Sequence, residues 1–477
     1  MQTRNPTFET KSGAFVPAGH TTFMWQTVVV LLVAFYFIEH TNIGVSQLNA
    51  FRVGADELAE RAAAGDAGRR IGIPILGCLG LFLLAGRGGE PLRTRSMSGW
   101  LLLIGLAWAA ASILWSASSL ITLRRFSVLL FCTIGALGVA RRLSLRELCT
   151  ATLVVTSVFL MFGLCVEIAL GTFRPFAAEH RFSGTVHPNA QAPTCALMAI
   201  SAACLASQAS RQKAFLWSLC VAGVVLLVLT KSRTVCGAML AGLFVFSLLH
   251  GPWTKRLLLC TTVISLASTL VLVLALLGWD VEERLLSAIL IGRPDEADSL
   301  SGRLPLWSAL LEYAWQRPLL GYGYLTFWSP ERIEHFSTEL QWAVPDGHNA
   351  YLDLMLDLGL VGAFIYLLAI FVGIRDTTAQ YFKTQDLGYA FLFSLILFRA
   401  FNGLLESAML TPTNFVSFVM VTGLLKLGFF AAEDCPAKES CLLEDDHDRN
   451  LNQCDPAHLQ PLWHVEGSIG KPALSGN

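Results

Sequence analysis

The amino-acid sequence predicts an all-α polytopic membrane protein with about 12 transmembrane helices. Of its 477 residues, 54% are hydrophobic and only 14% are charged, whereas about 25% of the residues in an average soluble domain are charged. The mean hydropathy is +0.56, and a chain with so little polar surface cannot cover itself in water. The formal net charge of -1 gives no indication of a nucleic-acid partner, and we expect none.

Twelve apolar segments follow one another along the chain, several of them near the lower end of the about 17–25 residues that span a bilayer. They cover residues 23–39, 71–86, 99–115, 126–140, 150–170, 190–206, 214–230, 234–249, 257–278, 351–374, 387–404 and 413–431. The first has no small-residue cleavage site after it, so we interpret it as a retained helix rather than a signal peptide. The sequence thus divides into an N-terminal segment 1–22, a transmembrane domain 23–431 and a tail 432–477 that we expect to be disordered.

Basic residues in the short loops predict the orientation of the chain. If the N-terminus is cytoplasmic, every short inside loop carries Lys or Arg, and the polar tail also lies inside. The largest loop, about residues 279–350 between spans 9 and 10, then lies outside. In a bacterium this is the periplasmic face of the inner membrane.

Several basic residues depart from this rule because they lie in the outside loops. The connection between the seventh and eighth apolar segments consists only of Lys231, Ser232 and Arg233. An anionic ligand at the outer interface would explain two cations there, since a guanidinium binds phosphate oxygens through two hydrogen bonds. The alternative is that these side chains snorkel toward lipid headgroups.

A second outside loop, residues 178–193, carries Arg181, His187 and Asn189 directly before an apolar segment. These residues could complete an anion site with the Lys231–Arg233 connection. The structural alternative is a polar turn with Asn189 as the helix cap.

The large loop predicts a short helix on the membrane surface. Pro305 suits the first turn of such a helix and Pro318 its end, which places Arg303 at its N-terminal start, where the helix dipole favours an anion. One apolar stripe is expected, made of Leu304, Trp307, Leu311 and Ala314. The aromatic residues that follow in GYGYLTFW would form either a packed core or an interfacial platform for sugars.

The stretch DGHNAYLDLMLDLGLVG, residues 346–362, places His348 and Asn349 where the large loop returns to the membrane. With an unperturbed pKa near 6.5, histidine suits a general base at neutral pH. The structural alternative is a capped helix start, for which Asp346 is the favoured residue and Asn349 a second candidate.

Four ionisable residues lie close to the ends of apolar segments, where charge is costly and often functional. Asp353 and Asp357, four residues apart on one helix face, would line an acceptor groove or pair with an arginine. Arg399 and Glu406 raise the same question, and their spacing of seven residues leaves a pairing between them open.

In their order along the chain, these motifs resemble the bacterial O-antigen ligase and Wzy-type polymerase superfamily, and most of all its exopolysaccharide polymerases. The resemblance covers roughly residues 95–430 and rests on RFSGTVHPN, KSR, SGRLPLW, RPLLGYGYLTFW and DGHNAYLDLMLDLGLVG. It implies a GT-C-like membrane glycosyltransferase that takes a saccharide from undecaprenyl pyrophosphate at the periplasmic face, with no metal and no cofactor. It also implies a lipid bilayer environment, with flippase and chain-length regulator proteins as partner candidates.

The resemblance also implies roles for individual residues. The functional arginines of the superfamily match Arg233 and Arg303, with Arg181 as a weaker match, and its histidine matches His348. His348 would be the catalytic base, and the three arginines would bind the pyrophosphate. Supporting roles are expected for Asn349, Lys231, His187 and Asn189.

We therefore expect a polymerase of undecaprenyl-pyrophosphate-linked repeat units in exopolysaccharide or O-antigen biosynthesis. The alternative is a ligase that transfers the glycan from undecaprenyl pyrophosphate to lipid A-core, because both enzymes use the same donor and the same base. A polysaccharide transporter is less favoured. It would show paired broken helices or ionisable residues near the bilayer midplane, whereas here the polar motifs gather at one interface around the large loop.

Overall fold

A computed structural model describes residues 26–35, 67–86, 91–93, 96–177, 180–209, 211–250, 299–407 and 411–430. Within these ranges the regular structure is helical and contains no β-strand, as the composition predicts. The expected ninth apolar segment, 257–278, lies outside the described residues, as do the N-terminal segment 1–22 and the tail 432–477. The number of twelve spans therefore stays a prediction.

The described ranges contain thirteen α-helices. They are α1 (Gln26–Phe35), α2 (Ala67–Ala85), α3 (Met97–Ala111), α4 (Ser119–Arg142), α5 (Leu145–Ala169), α6 (Pro188–Gln208), α7 (Lys213–Leu229), α8 (Arg233–His250), α9 (Ser299–Gln316), α10 (Pro330–Leu340), α11 (Ala350–Thr384), α12 (Leu387–Asn402) and α13 (Phe415–Phe429). By length and composition, five of them could cross a membrane: α3 with its 3₁₀ extension to Leu114, α4, α5, α6 and α11. Six shorter apolar helices accompany them, and α9 and α10 lie in the large loop.

The centre of the bundle is formed by α12. It packs against α5, α6, α8, α11 and α13, and Phe391, Phe393 and Phe398 on it are fully buried. A helix that is apolar on all sides is stable only when neighbours surround it, which explains why the sequence of α12 shows no polar face. The helices around it present apolar side chains outward, as a bilayer requires.

Helices α2 and α4 pack with their backbones in close contact. A Cβ atom at Gly138 on α4 would lie 2.6 Å from the Gly80 carbonyl oxygen on α2, so only small residues allow this approach. At the end of the pair, the Arg142 side chain donates from Nε to the Leu83 carbonyl at 2.8 Å. The two helices therefore run in the same direction, and both begin at the end of the bundle that carries the large loop.

Helix α11 is interrupted at Gly359, whose φ of 69° and ψ of -174° are not helical. The interruption frees backbone carbonyls that the GYGY segment satisfies. The Tyr322 amide donates to the Leu356 carbonyl and the Gly323 amide to the Asp357 carbonyl, both at 2.8 Å. The Leu360 amide donates in turn to the Pro318 carbonyl at 2.7 Å. Backbone groups freed near a bilayer must find partners within the protein, so this segment of the large loop repairs the broken helix.

The predicted surface helix exists as α9, but its start was predicted wrongly. Helix α9 begins at Ser299, so Arg303 and Pro305 lie inside it rather than at its N-terminal start. Proline favours the first turn only as a tendency, and here the helix extends ahead of it. The helix ends at Gln316, two residues before Pro318, as predicted.

The apolar stripe predicted for α9 was right for Ala314 and for Trp307, which pack in the core of the large loop, but wrong for Leu304 and Leu311. Leu304 and Leu311 are 59% and 42% exposed. The buried residues are Leu306, Leu310 and Ala314, which pack with the aromatic residues of α10 and of the GYGYLTFW segment. Nearly every position of α9 after Arg303 is apolar or aromatic, so the contacts with the rest of the loop decide which row is buried.

The aromatic residues of GYGYLTFW are mainly core residues. Tyr322, Tyr324 and Phe327 are 5%, 2% and 0% exposed. The Phe327 ring meets the Tyr322 and Tyr313 rings edge-on, at centroid distances of 5.3 and 5.6 Å. Of the two alternatives for these three residues, packing is therefore the one observed.

We predict that Gly359→Ala lowers the free energy of unfolding by about 1–3 kcal/mol from backbone strain alone, and by more if the steric clash adds to it. This backbone conformation is strained for any residue with a side chain, and a Cβ atom there would collide with the Leu319 carbonyl. Thermal unfolding in detergent measures the effect. Gly237→Ala on α8 is the matched control, because a Cβ atom at Gly237 meets nothing within 4 Å. An unfolding temperature for Gly359→Ala equal to that of the wild type would contradict the assignment.

Candidate active site

His348 lies in the turn 346–349, directly before α11. Its φ of 47° places it in the left-handed region, which costs a residue with a side chain about 1–2 kcal/mol. The backbone amide of His348 donates to Asp346 Oδ1 at 3.0 Å, and this short local hydrogen bond stabilises the turn. Strain of this kind is often found where a side chain must be held in one place for function.

The cap of α11 is Asn349 and not Asp346. Asn349 Oδ1 accepts from the amides of Tyr351 and Leu352, both at 3.0 Å. The preference for Asp346 was therefore wrong, because that side chain is already engaged by the turn. Asn349 fixes the point at which the chain becomes helical and hence the position of His348 next to it.

Three further contacts hold the His348 turn in place. The Trp307 indole donates to the Gly347 carbonyl at 2.8 Å, and the Gly347 amide donates to Asp353 Oδ1 at 3.2 Å. The Trp342 ring stacks on the imidazole with a centroid distance of 5.4 Å and an interplanar angle of 28°. The imidazole is thus preorganised from both the backbone and the ring face.

The surroundings of the imidazole keep it neutral. Its Nδ1 lies 3.4 Å from Asp346 Oδ1, and the side chain is 17% exposed. Burial lowers the pKa of His348, the Asp346 charge raises it, and the Arg303 charge lowers it; the result lies below 6.5. At neutral pH the ring is therefore ready to accept a proton.

Arg303 joins α9 to the turn 403–407, which we call the Glu406 turn. Its Nη1 donates to the Leu405 carbonyl at 2.8 Å. The same turn accepts the Ala350 amide at its Gly403 carbonyl, at 2.9 Å. The Glu406 turn thereby holds Arg303 of α9 close to the beginning of α11, which His348 directly precedes.

Arg181 is fixed by the other two loops of the site. Its Nε donates to the Thr230 carbonyl at 2.9 Å and its Nη2 to Asn189 Oδ1 at 2.6 Å. The loop behind it is anchored by Glu167, which accepts from the amides of Ser183 and Gly184 at 2.7 and 2.8 Å. Arg181 therefore links the loop 180–189 to the connection between α7 and α8.

Asn189, which was predicted as the cap of α6, has another role. The cap is His187, whose Nδ1 accepts from the Asn189 amide at 3.2 Å. The Asn189 side chain instead orients Arg181. His187 is exposed and shows no contact with His348 in the described part of the chain, so its place is at the edge of the site.

The connection between α7 and α8 is as short as the sequence predicts. Helix α7 ends at Leu229 and α8 begins at Arg233. Lys231 adopts a left-handed φ of 55°, which turns the chain within these few residues. Arg233 is followed by Thr234, whose hydroxyl donates to Glu406 at 3.2 Å.

Glu406 is a central residue of the site, whereas the sequence analysis considered it only together with Arg399 and assigned it no role in binding or catalysis. Burial raises the pKa of Glu406 to about 7, while the charges of Arg303 and Arg181 lower it. The carboxyl group thus lies in the field of both arginines. A weak signal existed, since Glu406 is the sole charged residue between Arg399 and Lys426.

The Arg399–Glu406 pairing considered from the sequence does not form. Arg399 is buried in the bundle, where its Nη2 donates to Ser417 Oγ at 2.9 Å. Asp353 and Asp357 also have a different role from the two expected. They accept from Trp328 Nε1 at 2.9 Å and from the Phe327 amide at 3.1 Å, and so bind the large loop to α11.

The site therefore combines a neutral, preorganised imidazole with a cluster of cations. Arg303 lies close enough to His348 to lower its pKa. The Glu406 turn contacts Arg303 at Leu405 and the start of α8 at Thr234, while the Arg181 charge acts on Glu406 at longer range. Lys231 and Arg233 flank this cluster through the α7–α8 connection. Chemically, such an arrangement can bind an anionic group and accept a proton from a hydroxyl group beside it.

We predict that pyrophosphate binding at this cluster strengthens as the pH falls from 8 to 6. Glu406 is ionised above about pH 7 and then competes with the anion for the arginines. Bound anion disfavours that ionised form, so binding takes up a proton. The measurement is the affinity for undecaprenyl pyrophosphate as a function of pH. In Glu406→Gln, the affinity should change with pH only as far as the ligand itself titrates. If the variant keeps the same pH dependence as the wild type, Glu406 does not have this role.

Comparison with known families adds to this geometry. Residues 218–367 match the model of a family described as O-antigen ligase. The match includes Arg233, Arg303 and His348, whereas Arg181 and Glu406 lie outside it. No curated protein matches the chain. This match covers 150 of the 477 residues and supports the resemblance to the O-antigen ligase and Wzy superfamily that the motifs of the chain indicate.

Proposed function

We propose that this protein polymerises oligosaccharide repeat units carried on undecaprenyl pyrophosphate, at the periplasmic face of the inner membrane. The observation that carries the proposal is the neutral imidazole of His348, held in a strained turn within the field of Arg303. A base next to a cationic group is what glycosyl transfer from a pyrophosphate donor needs. A flippase that delivers the repeat units and a chain-length regulator would be the protein partners.

In the proposed reaction, a hydroxyl oxygen of the acceptor sugar attacks the anomeric carbon of the donor saccharide. The bond between that carbon and the pyrophosphate oxygen breaks, and its electron pair leaves with the undecaprenyl pyrophosphate. The hydroxyl proton moves to His348. Asp346 lies 3.4 Å from Nδ1, which favours a proton on Nδ1 and leaves the lone pair on Nε2 to act as the base.

The arginines would act on the leaving group. Negative charge grows on the pyrophosphate oxygens as the bond breaks, and fixed guanidinium groups stabilise it most in a site with little water. Arg303 and Arg233 are the proposed ligands, and Arg181 is a third that Asn189 orients. Lys231 adds charge beside Arg233.

An O-antigen ligase that passes the glycan to lipid A-core is the second candidate. The description of the matching family favours it, and the donor and base would be the same. The two reactions differ in the acceptor and therefore in what accumulates when the enzyme fails. A polymerase leaves single repeat units on the lipid, whereas a ligase leaves finished polymer on the lipid and bare lipid A-core.

We predict that His348→Ala lowers the rate of transfer by about 10²–10⁴, the usual contribution of a general base. In a deletion strain complemented with this variant, undecaprenyl-linked glycans and surface polysaccharide are sized by mass spectrometry and gel. Single repeat units on the lipid are the result expected of a polymerase. His335→Ala is the matched control, because that histidine lies on α10, is 57% exposed and contacts Glu339 at 3.5 Å. Normal membrane insertion with wild-type polymer length in His348→Ala would refute the assignment.

The pH dependence of the initial rate in proteoliposomes provides a separate test. A base works in its deprotonated form, and the pKa of His348 is lowered below 6.5 by burial. Activity should therefore be retained at pH 7 and fall only as the pH drops through a midpoint below 6.5. The residual activity of His348→Ala should lack this acidic decline. A midpoint above 6.5 would argue against a buried His348 as the base.

A further inference from the structure

Beside the His348 turn lies a cavity that is separate from the candidate active site, and we call it the second cavity. It has a volume of about 1000 Å³ and lies between the starts of α2 and α4, the GYGYLTFW segment and α10. The carboxylate of Asp353 is hydrogen-bonded both to the wall of this cavity and to the His348 turn. Asp353 Oδ1 accepts from the indole of Trp328, which lines the cavity, at 2.9 Å and from the Gly347 amide at 3.2 Å.

The polar part of this cavity is strongly cationic. Four arginines line it, Arg70, Arg124, Arg125 and Arg332, against the single carboxylate of Glu331. Arg332 is fixed in place, since its Nη1 donates to the Phe327 carbonyl at 2.7 Å and its guanidinium lies 4.4 Å from the Phe327 ring centre.

Arg124 and Arg125 differ from Arg332 in this respect. Within the ranges that the structure describes, neither guanidinium donates a hydrogen bond or lies within 4.0 Å of a carboxylate oxygen. Asp357, Arg124 and Tyr324 act on Arg125 electrostatically, without a hydrogen bond or an ion pair among the described residues. Two adjacent cations that repel each other, and that receive no hydrogen-bond acceptor from the described residues, are suited to an anionic ligand.

The remainder of the cavity is apolar and follows the α2–α4 pair. Ile73 and Pro74 of α2 line it together with Val128 and Phe131 of α4. Next to them on α2, Ile71 and Ile75 are 62% and 46% exposed, as expected of side chains that face lipid. The cavity thus offers an anion site at one end and an apolar surface at the other, which fits an amphiphile with an anionic head.

We infer that this second cavity binds the phosphate headgroup of a membrane-anchored acceptor lipid, with Arg124 and Arg125 as its principal ligands. The inference rests on the proposed function, in which a saccharide passes between two substrates that are both anchored in the membrane. The cluster around Arg233, Arg303 and Arg181 would hold the donor pyrophosphate. The acceptor needs a separate anion site within reach of His348, and the Asp353 bridge places this cavity next to that turn.

The test counts lipids bound to the full-length protein in nanodiscs by native mass spectrometry. The probes are undecaprenyl pyrophosphate, lipid A and inorganic pyrophosphate. The wild type should bind two lipid molecules, and the Arg124→Gln/Arg125→Gln variant should lose one of them, with its affinity reduced by about tenfold or more. The Arg233→Gln/Arg303→Gln variant should lose the other. Arg174→Gln, an exposed arginine of a neighbouring loop, is the matched control and should keep both.

The outcomes separate the inference from the proposed function. A second site filled by undecaprenyl pyrophosphate identifies a lipid-linked repeat unit as the acceptor, and one filled by lipid A identifies the ligase acceptor; both support the inference. One bound lipid in the wild type, or two in Arg124→Gln/Arg125→Gln, overturns it. So does displacement of the second lipid by inorganic pyrophosphate at the same affinity. The lipid that this variant retains shows that it is folded, and His348→Ala independently reports on the proposed function.

Discussion

Asp353 connects the start of α11, the His348 turn and the GYGYLTFW segment, and the geometry of the site depends on this connection. Its carboxylate sits in the first turn of α11 and accepts from Gly347 in the His348 turn and from Trp328 in the large loop. A buried carboxylate is stable only with such donors around it. Because the hydrogen bonds converge on one oxygen, the imidazole turn and the wall of the second cavity cannot move independently.

The interruption of α11 makes this arrangement available. A continuous helix would use the carbonyls of Leu356 and Asp357 internally, and the large loop would have no backbone groups to bind. Gly359 leaves these carbonyls without a helical partner, and the amides of Tyr322 and Gly323 donate to them instead. The large loop is thus held by the same kind of backbone hydrogen bond that holds a helix together. It also buries its own small core, with Leu306, Leu310 and Phe336 at its centre.

The sequence predicts those features that depend on local pattern. Apolar runs such as that of α12 are visible in the sequence, and so are the short Lys231–Arg233 connection and the position of His348 before α11. The buried row of α9 is not visible, because both candidate rows are apolar and only contacts with Phe336 select one. Glu406 is not visible as a site residue either. Its importance arises from Thr234, Arg303 and Arg181, which approach it from three distant segments.

Two groups of arginines at one end of the bundle raise a problem of charge balance. The whole chain has a net charge of only -1, yet few carboxylates accompany these arginines: Asp346 and Glu406 in the first group and Glu331 in the second. Two like charges 4 Å apart repel by about 1 kcal/mol in water but by about 4 kcal/mol at the effective dielectric constant near a protein surface. A bound diphosphate reverses the sign of this interaction. The cost of keeping arginines against the usual distribution of charge would then be offset by the proposed substrates, and in the second cavity the anion site lies beside an apolar surface suited to a lipid anchor.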